Sequence, residues 1–269
     1  MNKILINTGP SERGWHRIET MLRCPTLYAF TQAGGDDGDK GPLVRGTLGH
    51  VGFAHYYARL GAVQHGKDPD AYFEPHEAIE IVGKQMGGIA LGFIEPMQKL
   101  IAAYHANFVG ERMTVRAVEV PVEMTFNGYR MTQRLDLVVS DVNDRIYAWD
   151  HKVVAKIDVK STTRYNLSGQ FLEMHWQARN KYGDAFAGLR VNLAQADGMK
   201  FARVTPDPAP FALQQFPFVV QHAEEQIKRY EGLAPHEYPK TFSEQTCMTP
   251  YGPCPATDFC RWGPTAARK

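Results

Sequence analysis

Two aspartates and a lysine lie in apolar stretches of the sequence that have the two-residue period of β-strands. Asp136 lies in RLDLVV, and Asp150 and Lys152 lie two residues apart in WDHKVV. Residues two apart on a strand project to the same face, and Asp136 can meet them if the strands are neighbours. A carboxylate is costly to bury unless it is paired or binds a metal ion, and such oxygen ligands suit Mg²⁺ or Mn²⁺.

The lysine adds the second element of this chemistry. A lysine beside a bound cation can orient or deprotonate a water molecule and neutralise charge on a phosphate. An Asp-x-Lys triplet is also common at a solvated strand edge, and that interpretation stays open for Asp150 and Lys152. His50, which follows VRGTLG on an apolar helix face, is either a packing residue or a nitrogen ligand that favours Mn²⁺ over Mg²⁺.

The cysteines form a second group of potential ligands. Cys247, Cys254 and Cys260 are separated by six and five residues in the turn-rich segment CMTPYGPCPATDFC, and Cys24 lies near the other end of the chain. Turns allow several thiolates to converge on a metal or a cluster, with Cys24 as the fourth ligand. Three unrelated cysteines in a loosely packed tail are the alternative. Disulfides are not expected, because the N-terminus MNKILINTGP is too short an apolar run for a signal peptide.

Length and composition limit the class of protein. The chain has 269 residues, 30 Lys+Arg against 29 Asp+Glu, and 43% apolar residues. These values exclude a wholly disordered chain and a uniformly basic nucleic-acid coat. No stretch approaches the roughly 20 apolar residues of a membrane helix, so we expect a cytoplasmic protein that does not contact membranes. We predict a single domain over residues 1–269.

The periodicity predicts helices, a meander and a second pair of strands. The predicted helices are 11–30 with an end near Cys24-Pro25, 43–60, 77–109 with a break at Gly87-Gly88, 167–188 and 211–232. The predicted strands are 113–126, 129–140 and 145–154, followed by 189–195 and 199–205, with a hairpin turn at Asn127-Gly128. This order predicts the α/β fold class, a central sheet flanked by helices. The helix at about 11–30 and the tail at about 240–269 are expected to form one metal- or cluster-binding lobe.

The ordered motifs resemble the PD-(D/E)xK nuclease superfamily, in its RecB-like and Cas4-like branch. The resemblance is carried by Cys24-Pro25 after a helix, Gly46 and His50 in GTLGH, Arg134 and Asp136 in RLDLVV, Asp150 and Lys152 in WDHKVV, a Gln-x-x-x-Tyr-like helix, and the C-terminal cysteines. It spans nearly the whole chain. Two departures are visible: Met174 stands where tyrosine follows Gln170, with Gln177 and Tyr182 as a competing alignment, and six residues separate the first two tail cysteines.

The resemblance implies a restriction-endonuclease-like core with a central mixed sheet, and a metal-dependent DNA nuclease, an exonuclease on DNA ends or single strands. His50, Asp136, Asp150 and the carbonyl of Val153 would hold Mg²⁺ or Mn²⁺. Asp136, Asp150, Lys152 and Gln170 would be the catalytic residues. Cys24, Cys247, Cys254 and Cys260 would hold a [4Fe–4S] cluster, with Zn²⁺ as the alternative. A recombination or repair protein is a possible partner.

A basic segment follows the proposed site. Residues 151–190 carry seven Lys/Arg and three acidic residues, a local charge of +4. We predict nucleic-acid contacts from Lys156, Lys160, Arg164 and Tyr165, and either base stacking or a core position for Trp176. Two other classes of function remain open: a nuclease-like DNA-binding module without catalysis, and a metal-stabilised interaction protein in which the triplet is incidental.

Overall fold

A mixed β-sheet forms the centre of the protein in the computed structural model, which describes residues 3–35, 40–158, 163–249 and 252–263. Within these residues five strands pair in the order β1-β2-β3-β4-β5. The strands are β1 Thr114–Phe126, β2 Tyr129–Ser140, β3 Ile146–Val154, β4 Phe186–Gln195 and β5 Lys200–Val204. All neighbours are antiparallel except β3 and β4, which run parallel. The chain therefore crosses from β3 to β4 through a helix, as parallel pairing requires.

Helices cover both faces of the sheet. They are α1 Trp15–Arg23, α2 Pro25–Gln32, α3 Gly41–Gln64, α4 Pro75–Met86, α5 Ile94–Phe108, α6 Gly169–Tyr182, α7 Pro210–Arg229, α8 Glu244–Cys247 and α9 Thr257–Trp262. One core lies between the sheet and α3, α4 and α5, and it includes Phe53, Tyr104 and Trp149. A second core lies between the opposite face and α6, and it includes Phe171 and Val191. The α/β class with a mixed central sheet flanked by helices is confirmed.

The β1–β2 hairpin contains an irregularity where its acidic residues face each other. The Asn127-Gly128 turn pairs Phe126 with Tyr129, and the flanking pairs Val118–Leu137 and Val120–Leu135 leave Glu119 opposite Asp136. Leu135 packs in the core beneath α6, whereas Leu137, two residues on, packs in the core beneath α3. The normal alternation of side chains is therefore broken at Asp136. Glu119 has a φ of 52°, a strained conformation for a residue other than glycine.

The two ends of the chain meet at α2. Thr26 donates hydrogen bonds to the carbonyl oxygens of Tyr238 and Pro239, each at 2.9 Å. Arg23 reaches the carbonyl of Thr246 at 2.8 Å. The tail continues through α8, a two-stranded ladder of β6 Met248–Thr249 and β7 Gly252–Pro253, and α9. This arrangement brings the N-terminal helices and the tail together, and whether they form the predicted metal- or cluster-binding lobe stays a prediction.

Some boundaries differ from the sequence predictions. The predicted helix over 11–30 is two helices, because Cys24 adopts an extended backbone with φ −163° and Pro25 begins α2. The predicted end of the helix at 43–60 is too early, since α3 continues to Gln64. The break at Gly87-Gly88 is present, with both residues at positive φ. No helix in the described ranges combines the length and apolar content needed to cross a membrane.

Candidate active site

Asp150, Lys152 and Gln170 form one hydrogen-bonded group between β3 and α6. Lys152 Nζ donates to Asp150 Oδ1 at 3.1 Å and to Gln170 Oε1 at 3.1 Å. Gln170 Nε2 donates to the same Asp150 oxygen at 2.7 Å. The two-residue spacing on β3 puts the carboxylate and the ammonium on one face, and the first turn of α6 carries the glutamine to them. Each member of the group therefore orients the other two.

A second group joins His50 of α3 to the two facing carboxylates of the hairpin. One ligand atom each from His50, Glu119 and Asp136 lie within 4.8 Å of one another. His50 Nδ1 is 3.3 Å from Asp136 Oδ2, and that oxygen also accepts the backbone N–H of His151 at 2.7 Å. An imidazole and two carboxylates form a donor set that suits Mn²⁺ or Mg²⁺.

The electrostatic environment disfavours charge on the two hairpin carboxylates. Burial, and then repulsion from Asp136, raises the pKa of Glu119 well above its ordinary value. Burial likewise raises the pKa of Asp136, although His50 partly offsets the effect. Burial alone would lower the pKa of Lys152, but attraction by Asp150 and Asp136 outweighs it and the pKa is raised. Lys152 is therefore charged at neutral pH, and a cation would relieve the repulsion between the carboxylates.

Both groups open into one cavity of about 250 Å³. Its wall is completed by the N-terminal segment that precedes α1. The lining includes Thr8, Gly9, Pro10, Ser11, Trp15, His16, His50, Glu119, Arg134, Asp136, Asp150, Lys152, Gln170 and Glu173. A larger cavity, of about 540 Å³, lies between α3, α4 and α5 and shares no lining residue with this one. The smaller cavity is where the acidic, basic and imidazole groups converge, so it is the candidate active site.

A comparison with known protein families matches the part of the chain that carries the side chains of the candidate site. A model of the PD-(D/E)XK nuclease superfamily matches residues 15–261. The chain belongs to the PD-(D/E)XK nuclease superfamily. Members of this superfamily are metal-dependent nucleases that hydrolyse phosphodiester bonds. No curated protein matches the chain significantly.

Among solved structures, one titled "Crystal structure of SSO0001" is similar at 10% sequence identity, with a TM-score of 0.33. The match covers 65% of this chain and 74% of that one.

In this member of the PD-(D/E)XK superfamily, five of the six predicted catalytic and cation-binding residues line the cavity. His50, Asp136, Asp150, Lys152 and Gln170 all line it. Gln170 contacts Asp150 and Lys152, whereas the competing Gln177 is buried and donates to Glu173 at 2.9 Å and to the Met131 carbonyl. Val153 packs its side chain against Gly49 of α3, and its carbonyl remains a predicted ligand. The roles of these residues remain predictions.

Glu119 was missed by the sequence analysis. It contributes to the His50 group, whereas Asp150 has no place in a set of three mutually close ligand atoms within the described residues. The sequence did contain a signal for it. Glu119 interrupts the apolar stretch of VRAVEVPVEM, as Asp136 interrupts RLDLVV, and the Asn127-Gly128 turn places the two opposite each other.

The predicted nucleic-acid contacts require corrections. Tyr165 is buried at 4% exposure and packs against Phe171 at 5.0 Å between ring centroids, so its ring is not free to stack on a base. Trp176 takes the core position, with its indole N–H bonded to the Leu213 carbonyl at 2.9 Å. Lys156 and Arg164 are exposed. Lys160 lies outside the described residues.

The four cysteines approach one another at the junction of the chain ends. Cys24 and Cys254 share a small apolar cluster with Leu27, and Cys260 packs against it. Burial is the main cause of the raised pKa of Cys260, and repulsion from Cys24, Cys254 and Cys247 raises it further. All four are free of disulfides. The pKa of Cys24 shifts in the opposite direction to that of Cys260. Burial would raise the pKa of Cys24, but hydrogen bonds from Leu27, Thr241 and Thr26 lower it.

Proposed function

We propose that this protein is a metal-dependent DNA exonuclease that hydrolyses phosphodiester bonds at DNA ends or in single strands. The observation that carries the proposal is the Asp150–Lys152–Gln170 group, which faces the same cavity as His50, Glu119 and Asp136. A strand-edge ion pair without function would not explain a half-buried lysine held by two partners beside three further ligand groups. Membership of the PD-(D/E)XK superfamily supports the same reaction class.

The residues of the cavity suit a divalent cation. Asp150 Oδ2 is buried and has no hydrogen-bond partner within the described residues, although the Lys152 ammonium lies 3.1 Å away. A buried carboxylate oxygen without a hydrogen bond is costly unless a cation or ordered water satisfies it. We assign His50, Glu119, Asp136, Asp150 and the Val153 carbonyl as ligands for Mg²⁺ or Mn²⁺. When bound, the ion supplies Lewis-acid activation of water and of the scissile phosphate.

The protein groups then have separate tasks. Lys152 keeps its positive charge at the cavity wall, where it can stabilise negative charge that develops on the phosphate. Gln170 is hydrogen-bonded to both the Lys152 ammonium and the Asp150 carboxylate, so it orients Lys152 toward the reacting phosphate. Asp136 is fixed from the opposite side by the His151 N–H. The substrate phosphate would thus meet a preorganised site with little rearrangement.

The size of the cavity favours ends and single strands. About 250 Å³ is less than the volume of most drug-sized ligand pockets, and the segment around Pro10 covers one side. We infer that an intact duplex would reach the buried carboxylates only after its strands separate. A free single strand can enter, with Arg134 at the wall as a contact for phosphate.

The cysteines are proposed to hold a [4Fe–4S] cluster, with Zn²⁺ as the alternative. Hydrogen bonds from the start of α2 that favour the thiolate of Cys24 suit a metal-bound sulfur. No three of the four sulfurs, all within the described ranges, lie within 4.8 Å of one another. A tetrahedral zinc site with bonds of about 2.3 Å would therefore need the sulfurs to move closer together. The lobe would then join the chain ends in one cofactor-stabilised unit.

The test is cleavage of defined DNA substrates by anaerobically purified protein in Mn²⁺. We expect shortening of end-labelled linear single strands, little cleavage of covalently closed circles, and no activity in excess EDTA. Cleavage of circles at the linear rate would refute the exonuclease assignment, and undiminished activity in EDTA would refute the metal dependence. DNA binding without cleavage under all these conditions would favour a nuclease-like binding module.

A further inference from the structure

His151, between the two residues of the Asp-x-Lys triplet, has a side chain that does not enter the active-site cavity. It is 2% exposed and lies in the core beneath α3. Its ring is nearly parallel to those of Phe53 and Tyr57, at centroid distances of 4.5 and 5.4 Å and interplanar angles of 17° and 12°. Two aromatic residues one helical turn apart therefore hold the imidazole plane.

A buried polar contact fixes the imidazole in its own plane. Asn192 of β4, which is paired with His151 in the sheet, has its Nδ2 3.0 Å from His151 Nδ1. The same asparagine accepts the hydroxyl of Tyr104 at 3.2 Å through Oδ1. With the Asn192 amide as donor, the ring proton of His151 lies on Nε2. The ring is thus held by stacking in one direction and by a hydrogen bond in another.

The backbone of His151 performs a different task. The recorded pairing between β2 and β3 ends at Leu137 and Trp149, so no ladder joins His151 to β2. Its N–H instead donates to Asp136 Oδ2 at 2.7 Å. The imidazole and the backbone N–H of His151 are joined through the same Cα atom. A ring that is held in place therefore also restrains the position of that Cα and the direction of the N–H. The position of the Asp136 carboxylate then depends on a side chain on the opposite face of the sheet.

We propose that His151 is a positioning residue, whose imidazole, clamped by Phe53, Tyr57 and Asn192, aims its own N–H at Asp136 and so fixes that carboxylate for cation binding. The inference rests on the proposed function, in which Asp136 is a ligand. The active site would then depend on buried side chains that contact neither DNA nor the cation. Partners of this kind, one step removed from a ligand, typically change metal affinity by 10–100-fold.

The experiment measures Mn²⁺ affinity by electron paramagnetic resonance in the absence of DNA, together with kcat and KM on a linear single strand. His151→Ala removes the clamped ring, and Asn192→Ala loosens it without altering the triplet. Asp136→Ala is the reference for loss of a ligand. Ile79→Ala, a fully buried residue of α4 in the same core, is the control for loss of packing. Thermal unfolding selects the conditions in which every variant is folded.

We expect His151→Ala to weaken Mn²⁺ binding about tenfold and to lower kcat with little change in KM for DNA. Asn192→Ala should act in the same direction by a smaller factor, and Ile79→Ala should retain wild-type affinity. If His151→Ala does not fold, Asn192→Ala decides the matter. Wild-type affinity in Asn192→Ala, or equal losses in Ile79→Ala, would overturn the positioning role. Wild-type affinity in Asp136→Ala would overturn the ligand assignment and the positioning role together.

Discussion

Gly49 of α3 lies against Val153 of β3 so closely that a Cβ atom built on Gly49 would be 2.3 Å from Val153 Cγ2. Real Cβ atoms do not approach a neighbour to this distance, so only glycine fits unless the Val153 side chain, the helix or the strand moves. His50 is the next residue, and its imidazole is 3.3 Å from Asp136. The close approach of α3 to β3 is therefore what brings the histidine to the carboxylates.

Gly49→Ala should displace α3 and weaken cation binding. We expect a loss of about 1–3 kcal/mol in the free energy of unfolding, as for other overpacked sites, and a several-fold loss of Mn²⁺ affinity. Gly46→Ala is the matched control, because a Cβ there meets no atom within 4 Å. Removal of a helical glycine should stabilise that variant by about 0.5–1 kcal/mol. Chemical denaturation and Mn²⁺ titration measure both, and equal effects at the two glycines would contradict the explanation.

The sequence predicted the β1–β2 hairpin and the pairing of Asp150 with Lys152 because they depend on local patterns. The Asn127-Gly128 turn and the period of two predict the β1–β2 hairpin, and the Asp150–Lys152 spacing predicts a shared face. Gln170 came from the family resemblance, and its place at the start of a helix decided between it and Gln177. The hairpin and the shared face of Asp150 and Lys152 each depend on only a few residues or one tight turn.

Other features depend on packing between distant segments and were not predictable in this way. The GTLGH motif drew attention to Gly46, but it is Gly49 that the contact with β3 requires. Tyr165 looked like a base-stacking residue in a basic segment, yet Phe171 of α6 covers it. Glu119 could have been found by following the hairpin register, whereas the break in alternation at Asp136 has no signal in the sequence that we recognise.

Glu119→Gln should stabilise the metal-free protein at neutral pH and weaken cation binding. The pKa of Glu119 is raised in the folded state, so the folded chain holds a proton that the unfolded chain releases. The wild-type protein therefore loses stability as the pH rises from the pKa of Glu119 in the unfolded chain toward its pKa in the folded chain. Below the pKa in the unfolded chain this loss is absent. We expect a Tm increase of about 2–4 °C at pH 7, the shift for about 1 kcal/mol at this chain length.

The control for this prediction is the same comparison at pH 4, where the carboxyl is protonated in both states. There the Tm of Glu119→Gln should match that of the wild type. Isothermal titration with Mn²⁺ at pH 7 should show weaker binding by the glutamine variant and proton release on binding by the wild type. A stabilised variant with unchanged Mn²⁺ affinity would remove Glu119 from the proposed ligand set.

Cys24→Ala and Cys260→Ala should each lower the Tm of anaerobically purified protein and its content of iron or zinc. Both cysteines lie in or against the apolar side-chain cluster that joins the chain ends, and both are proposed metal ligands. Their loss should therefore release the tail from α2. Met248→Ala is the control, because Met248 follows Cys247 but is 59% exposed. Differential scanning calorimetry, metal analysis and the absorbance spectrum are the measurements. Unchanged metal content in both cysteine variants would contradict a shared site.

Lys152→Ala should abolish most cleavage while leaving DNA binding and Mn²⁺ affinity close to wild type. The ammonium is not a ligand, but it is held by Asp150 and Gln170 at 3.1 Å each, where it faces the cavity. Loss of a positioned charge that stabilises a reacting phosphate typically lowers the rate by about 10²-fold or more. The matched control is Lys156→Ala, which removes the same side chain from an exposed position just beyond β3. As a predicted nucleic-acid contact it should weaken DNA binding, but bound DNA should be cleaved near the wild-type rate. Single-turnover cleavage at saturating Mn²⁺, with DNA binding measured in parallel, separates the two steps. If Lys152→Ala and Lys156→Ala cleave DNA equally well, the Asp150–Lys152 pair is a structural ion pair and the nuclease assignment loses its main support.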